Sequence, residues 1–465
     1  MVDLRIRTIT GADSSLEEET VEGLKSSLRG ALLRQGDDGY EDGRKVWNGN
    51  IDRRPALIAR CTGVADVVEA VNFARTNNLL VAVRGGAHSA PGYATCDGGI
   101  VIDLTPMKGI HVDRAKGTVR AQGGVLWVEL DRETQAFGLA TTGGVVSNTG
   151  ISGLSLGGGL GWLMGKHGLM CDNLISADVV TADGRFLTAS ASENQDLFWG
   201  VRGGGGNFGV VTSFEYQLHP VGPTILGGMV IHHGRDTREV LGFYRDFSSD
   251  LPDEVEAYAA LLTSPEGDPV AAMALGYNGS IEEGERLLEP ARKFGTPIAD
   301  LVAPIPYVER QTLFEDLAAH GIQRYWKSGL VPRLDDKVLD IITERWATVP
   351  SPMSAFAIFR IHGAASRVDR AETAFGLRQE AWDINIISQW VDPAESEKQV
   401  TWTREFWAEL EPFATAGVYV NHIAGDEPER VRAAYGPNYD KLVSLKNKYD
   451  PTNLFRLNPN IKPSG

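Results

Sequence analysis

Arg84-Gly85-Gly86-Ala87-His88-Ser89 leaves the apolar run Leu79-Leu80-Val81-Ala82-Val83 and leads into Gly92-Tyr93. Consecutive backbone N–H groups freed of side-chain bulk by glycine form a concave nest for an anion. Arg84 and Ser89 add donors at its rim, which suits a pyrophosphate. A histidine one residue past the glycines, in a loop leaving a buried strand, lies within reach of whatever the pyrophosphate carries. His88 is therefore the first candidate site residue, against the competing reading of a strand-end turn whose histidine caps a carbonyl.

Upstream of that loop, Ser14 or Ser15 with Glu17 or Glu18 gives two overlapping capping boxes. They predict a helix with Val21, Leu24, Leu28 and Leu32 at helical spacing. Strand 56–61, helix 64–76 and strand 79–83 then make a βαβ unit, followed by strands over 99–104, 109–113 and 118–122. Downstream, Gly143, Gly144, Gly150, Gly153, Gly157, Gly158, Gly159, Gly161 and Gly165 are interleaved with Ser147, Thr149, Ser152 and Ser155. Such a stretch is not expected to be a regular helix, and it lets backbone approach a flat ligand closely.

Two literal motifs compete with the cradle reading. Gly153-Leu154-Ser155-Leu156-Gly157 satisfies the nucleophile-elbow pattern of serine hydrolases, but three glycines follow where a helix is required. Gly204 to Gly209 is a formal GxGxxG, yet Val210–Tyr216 alternates like a strand instead of opening a helix, so the Rossmann reading fails. Gly165-Lys166-His167 lacks the rest of a P-loop, and His232 and His233 point to opposite faces of a strand.

The break Pro220-Val221-Gly222-Pro223 closes the first half. Beyond it, alternating runs at 227–233, 257–262, 270–277, 354–361 and 383–390 are separated by helical stretches at 281–294, 337–346 and 370–379. That pattern predicts an antiparallel sheet with helices on one side. Alternation puts Phe356, Ile358, Arg360 and His362 on one face, either a pocket wall or a solvated edge. Near the end, Val418–His422 reads as a strand placing Tyr419 and Asn421 on one face, 439–449 as a helix, and Asp450–Asn460 as a turn-rich tail.

At 465 residues the chain is too long for one ordinary core. Lys+Arg 45 against Asp+Glu 61 gives a net charge of −16 with no basic tract, which excludes a nucleic-acid partner. Met1–Arg7 lacks a signal pattern and no apolar run is long enough to span a membrane, so a soluble cytoplasmic protein, monomer or homodimer, is expected. The three cysteines are scattered and odd in number, without the spacing of a disulfide framework or a zinc site.

Taken in order, Arg84–Ser89, the cradle Gly150–Gly161, Lys166–Leu169 with Asp172-Asn173, Leu197–Trp199 with Arg202-Gly203, Asn207–Val210 and the closing Asp450–Asn458 form a series. The series resembles the FAD-linked oxidases of the vanillyl-alcohol-oxidase superfamily, in the berberine-bridge-enzyme-like branch. In motif the chain is most similar to the bacterial 6-hydroxynicotine-oxidase-like members. The resemblance covers nearly the whole chain and is weakest between Pro223 and Gly417.

The resemblance implies an α+β fold, a two-part PCMH-type FAD-binding domain with an inserted antiparallel-sheet substrate domain. Residues 1–222 (core about 50–220) and the returning 418–465 would make the FAD domain, and 223–417 the substrate domain. It implies that His88 carries FAD covalently and that Arg84, Gly85, Gly86, Ala87, His88 and Ser89 hold the pyrophosphate. Gly150, Ser152 and Gly153 would run along the isoalloxazine, Asn207 to Val211 would approach the adenosine, and Asn458 is counted with the cofactor contacts. Tyr419 and Asn421 would lie near the flavin face where substrate binds.

Three departures follow from the same comparison. Val146 stands where many relatives carry a second covalent anchor, a cysteine, so a single link through His88 is expected. Leu154 stands where many have a histidine beside the pyrimidine edge. Thr149 occupies the position that often tunes oxygen access, so the electron acceptor is O2 or another acceptor. The reading is an FAD-dependent oxidoreductase that takes a hydride from an alcohol or amine C–H of a small molecule to flavin N5, with the cofactor carrying the redox chemistry. Tyr419 is the candidate base; its phenol, ordinarily near a pKa of about 10, would need lowering by Asn421 or Lys327, and the competing role is packing or orienting substrate. The alternatives are a flavin-loaded binding protein without turnover and a serine hydrolase at Ser155.

Overall fold

In the computed structural model, which describes residues 3–464, the βαβ unit is present as strands Leu57–Arg60 and Val81–Arg84 joined by helix Val64–Thr76. Met1, Val2 and Gly465, at the ends of the two outer predicted segments, lie outside the described residues. Ile100–Asp103 inserts between the two strands and pairs parallel with both, Leu57 and Val81 each opposite Ile100, while Ala31–Leu33 adds an antiparallel edge. Val67, Ala70, Val71 and Ala74 form the buried stripe of the helix, so the His88 loop leaves the carboxyl end of a strand buried under it.

A second, antiparallel sheet has the order Phe186–Ser190, Leu174–Val180, Val210–Gln217, Thr118–Gln122, Ile110–Asp113. The glycines 204–209 thus run directly into a strand, as the alternation predicts.

The third sheet occupies Thr224 to Trp390. Its order is Ala299–Asp300, Thr224–His233, Pro269–Tyr277, Val255–Thr263, Ala355–Ile361, Ala381–Trp390, Gln323–Val331, with Ala303–Pro306 also pairing Thr224–His233. Helices Thr237–Ser248, Ile281–Arg292, Asp336–Trp346 and Ser396–Leu410 cover one face, against Ala257, Leu261, Phe356, Ile358 and Ile384. Strand periodicity turns Tyr258, Phe359 and Leu330 to the other face, into the core shared with the first half of the chain. The face with Phe356 and Ile358 is therefore helix-covered core, and the wall that meets the first half carries Phe359.

Four expectations are corrected. Ser14 and Ser15 cap nothing: they lie in strand Asp13–Leu16, paired with Leu4–Arg7, and the helix runs Glu18–Ser27 with Glu18 and Glu19 in its first turn. Pairing with the neighbouring strand took the backbone first, and Leu32 lies in strand Ala31–Leu33. Residues 370–379 form no helix, because the Asn438 side chain captures the carbonyls of Arg370 (2.8 Å) and Thr373 (3.1 Å) and Arg378 captures that of Phe375. Within the glycine-rich stretch, Ile151–Leu156 and Met164–His167 are short helices. Val418–His422 is no strand: after Leu330 N donates to Gly417 O (2.8 Å), the chain turns into the 3-10 helix Val420–His422, with His422 N donating to Tyr419 O (2.9 Å).

Helix Tyr439–Tyr449 packs on Gln195–Val201 and brings the tail home. The fully buried Lys446 Nζ donates to Asn207 O (2.9 Å), Phe455 O (2.8 Å) and Asp450 Oδ2 (2.7 Å), and Asp450 accepts from Leu454 N (2.7 Å) and Phe455 N (2.9 Å). Removing one member of a buried pair leaves an uncompensated charge, at a cost of about 3–5 kcal/mol. Lys446→Met is expected to destabilise the protein by that amount in urea unfolding and to release the tail from the 204–209 loop, read as proteolysis of the C-terminal segment.

Candidate active site

The His88 loop, the glycine cradle, the 204–211 turn and the tail enclose a cleft of about 1880 Å³, part of it open to solvent. Its lining draws on segments as far apart in sequence as Val81 and Pro459, so that a long ligand could span from the His88 loop to the tail.

Gly85, Gly86, Ala87, His88 and Ser89 line the cleft with main chain, and Ala87 takes the left-handed conformation (φ +54°) that curls the loop into a nest. Gly86 and Gly150 lie so close that a Cβ on either would strike the other's backbone. Arg84 does not join its neighbours: its guanidinium donates to Gly43 O (2.9 Å) and Lys45 O and lies 3.9 Å from Asp103, bracing the loop from behind. The expected rim donor is thus a strut, because backbone carbonyls behind the strand end compete for it.

His88 faces the cleft. Its ring stacks on Trp47 (centroids 4.2 Å, 20°) and its Nε2 lies 3.0 Å from Asn148 Oδ1. Burial, then the adjacent His320, and finally Arg324 push its pKa down to about 3, against the raising effect of Asn148. The imidazole is neutral; with Asn148 accepting from Nε2–H, Nδ1 keeps its lone pair.

Val146, Thr149, Gly150, Ser152, Gly153 and Leu154 form the next wall, although the Ser152 hydroxyl donates to Gly123 O (2.5 Å) and is not free for a ligand. Gly205, Gly206, Val210 and Val211 continue it. Asn458 reaches the cleft from the tail, its Nδ2 donating to Gly206 O (3.0 Å). Asn207 does not reach it: its amide donates to Gly204 O (3.0 Å) and Pro459 O (3.2 Å) and accepts from Ile461 N (3.0 Å), clamping the tail. Sequence position alone does not reveal that the returning tail and Gly204 share out this side chain.

The remaining wall is aromatic: Tyr258 and Phe359 from the third sheet, Trp326, and Tyr419 with Asn421 and His422 from the returning segment. Tyr419 and Asn421 meet as predicted, though not by strand alternation. The Tyr419 oxygen accepts from Asn421 Nδ2 (2.8 Å) and Gly159 N (3.0 Å). Burial pushes this phenol well above its usual range, outweighing the lowering by those donors. Lys327 offers it no help, since its Nζ is held by Glu427 (3.0 Å) and Asp426 (3.1 Å).

The sequence reading missed His422, whose Nδ1 lies 2.9 Å from the buried Asp383 Oδ2. The available signal was an acidic residue inside the apolar strand Ala381–Trp390, which requires a partner. Ser155 is no nucleophile: it is buried within a helix, donating to Ile151 O (2.7 Å) and bonded to Tyr216 Oη (2.7 Å), which removes the serine-hydrolase alternative. Among the described residues no cluster of three or more His, Cys, Asp or Glu is placed to hold a metal ion, and no helix is long and apolar enough to cross a membrane.

Comparisons with known proteins agree with this geometry. Residues 55–190 match a family described as FAD binding domain, and residues 418–462 one described as berberine and berberine like. The chain is 35% identical over 444 residues to a FAD-linked oxidoreductase of Dictyostelium discoideum, covering 94% of this chain and 95% of the relative. It is 32% identical over 457 residues to (R)-6-hydroxynicotine oxidase of Paenarthrobacter nicotinovorans, covering 94% and 98%. The solved structure of 6-hydroxy-D-nicotine oxidase from Arthrobacter nicotinovorans superposes with a TM-score of 0.86 at 31% identity, covering 94% of this chain and 99% of that one.

The residues present fit FAD. Gly153 is exposed to the cleft and nothing lies within 4 Å of a Cβ built there, so the cradle is left bare on the side a flat ring system would occupy. In a His88→Ala background, where FAD is free to exchange, Gly153→Leu is expected to melt like its parent but to bind FAD at least about tenfold more weakly, about 1.4 kcal/mol, in a titration followed by flavin fluorescence.

Proposed function

Because the chain belongs to the berberine-bridge-like FAD-linked oxidoreductases, we propose that it oxidises an alcohol or amine C–H of a small molecule by hydride removal, and that O2 or another acceptor then takes up the electrons. When bound, FAD supplies the two-electron acceptor, at N5. The observation that carries the reading is one cleft in which a bare glycine cradle faces an aromatic pocket bearing Tyr419, Asn421 and His422.

The chain's own groups divide the work. Gly85–Ser89 would offer backbone N–H groups to the pyrophosphate, Gly150 and Gly153 would admit the ring system, and Val211 and Asn458 would hold the rest of the cofactor. Residues 223–417, through Tyr258, Trp326 and Phe359, shape the substrate pocket. Neutral His88, with its free lone pair, carries the cofactor by one covalent bond, since Val146 offers no thiolate for a second. Tyr419 is best read as a neutral phenol that orients substrate, because burial disfavours its anion.

Anaerobic addition of a panel of sugars, secondary alcohols and cyclic amines tests the reading: at least one is expected to bleach the yellow protein. A yellow protein that none of them bleaches would instead be a flavin-loaded binding protein. After acid precipitation the pellet is expected to stay yellow and to yield one flavin-bearing peptide containing His88, whereas His88→Ala should release all its FAD into the supernatant. Tyr419→Phe is expected to leave FAD content unchanged and to lower stability by about 1–3 kcal/mol, because the N–H groups of Gly159 and Asn421 lose their acceptor. Anaerobic reduction should slow by less than about tenfold; a loss of 10²-fold or more would make Tyr419 the base.

A further inference from the structure

Asp383 is the third residue of strand Ala381–Trp390, its carboxylate fully buried. Among the described residues its Oδ1 has no hydrogen-bond partner, and its Oδ2 meets only the imidazole of His422 (2.9 Å). A buried carboxylate so thinly satisfied costs stability and is most simply kept for the histidine it holds.

His422 is fixed on every side but one. Its ring stacks on Trp326 (centroids 4.7 Å, 27°) and meets the edge of Tyr419 (4.7 Å, 82°). Trp326 is itself pinned by Nε1 donating to Asn385 Oδ1 (3.0 Å). With Asp383 accepting from Nδ1–H, the proton sits on Nδ1 and Nε2 carries a lone pair. His422 lines the cleft beside Tyr419 and Asn421, and among the described residues no group is hydrogen-bonded to its Nε2.

We propose that His422, oriented by Asp383, is the group that takes the O–H or N–H proton of the substrate. This rests on the oxidoreductase reading above. As the substrate C–H bond breaks and its hydrogen leaves with the electron pair to FAD, the O–H or N–H proton passes to His422 Nε2. The electron pair of that bond becomes the new C=O or C=N π bond. The imidazolium formed is balanced by the Asp383 carboxylate at Nδ1 and by the indole face of Trp326. Tyr419 cannot substitute, since its oxygen already accepts two N–H donors and burial keeps it protonated.

Two variants and one spectroscopic readout test this. His422→Phe keeps the stack on Trp326 but removes the acceptor. Asp383→Asn keeps the histidine but offers an N–H to Nδ1, which drives the ring proton to Nε2 and blocks acceptance. Both are expected to retain FAD, to slow anaerobic reduction by about 10²–10⁴-fold, and to change the substrate concentration for half-maximal reduction far less. Independently of any substrate, nitrogen-15 NMR of labelled histidine, assigned by loss of a signal in His422→Phe, should show the Nδ1–H tautomer in the wild type and its inversion in Asp383→Asn. Reduction of both variants within about tenfold of wild type, or an Nε2–H tautomer in the wild type, would overturn the proposal alone. A wild-type protein reduced by no panel compound would overturn the oxidoreductase reading with it.

Discussion

The ammonium of Lys446 is the point on which the site's architecture hangs. Its three acceptors come from the 204–209 turn, from its own helix end and from the tail. With Asp450 neutralising the charge and then gathering the amides of Leu454 and Phe455, a turn-rich segment with little secondary structure is tied down by buried hydrogen bonds. Asn207 works on the same joint from the opposite side. The cleft wall made by Gly205, Gly206 and Asn458 is therefore a product of buried polar satisfaction, since a fully buried cation tolerates no slack in the groups around it.

Much of this was legible in the sequence. The five period-two runs became strands of the third sheet to within a few residues, though Gln323–Val331, Ala299–Asp300 and Ala303–Pro306 were not among them, and the glycine punctuation marked where backbone approaches backbone, as at Gly86 and Gly150. The pairing of Tyr419 with Asn421 was anticipated, although the turn that produces it was read as a strand. What escaped was decided by partners distant in sequence. Arg84 is claimed by carbonyls of residues 43 and 45, Asn207 by residues 459 and 461, and residues 370–379 by Asn438. Short-range patterns carry no trace of such competition; for the His422 to Asp383 bond, spanning 39 positions, the acidic residue in an apolar strand signals that a partner is needed but not which one.

Electrostatics separates the roles that residue type alone leaves mixed. Two groups in the cleft, His88 and Tyr419, are both driven towards their neutral forms by burial, which suits a nucleophilic nitrogen and an orienting hydroxyl. Lys327, the cation expected to tune the phenol, is spent on Asp426 and Glu427 at the edge of the site. The site thus presents few free charges to a bound molecule. One wall is aromatic, and the polar groups that reach the cleft include the nitrogens of His88, Asn421 and His422.

The alternation of the third sheet has an evolutionary consequence. Along Val255–Thr263 and Ala355–Ile361, one set of side chains fills the helix-covered core while the interleaved set, Tyr258 and Phe359 among them, meets the cleft. The cleft-facing positions lie outside the helix-covered cluster, and the residues of that cluster lie outside the pocket's lining. Selection can therefore explore new chemistries of recognition on one side of a strand while the other side bears the burden of folding, so that a lineage diverges in diet without rebuilding its scaffold.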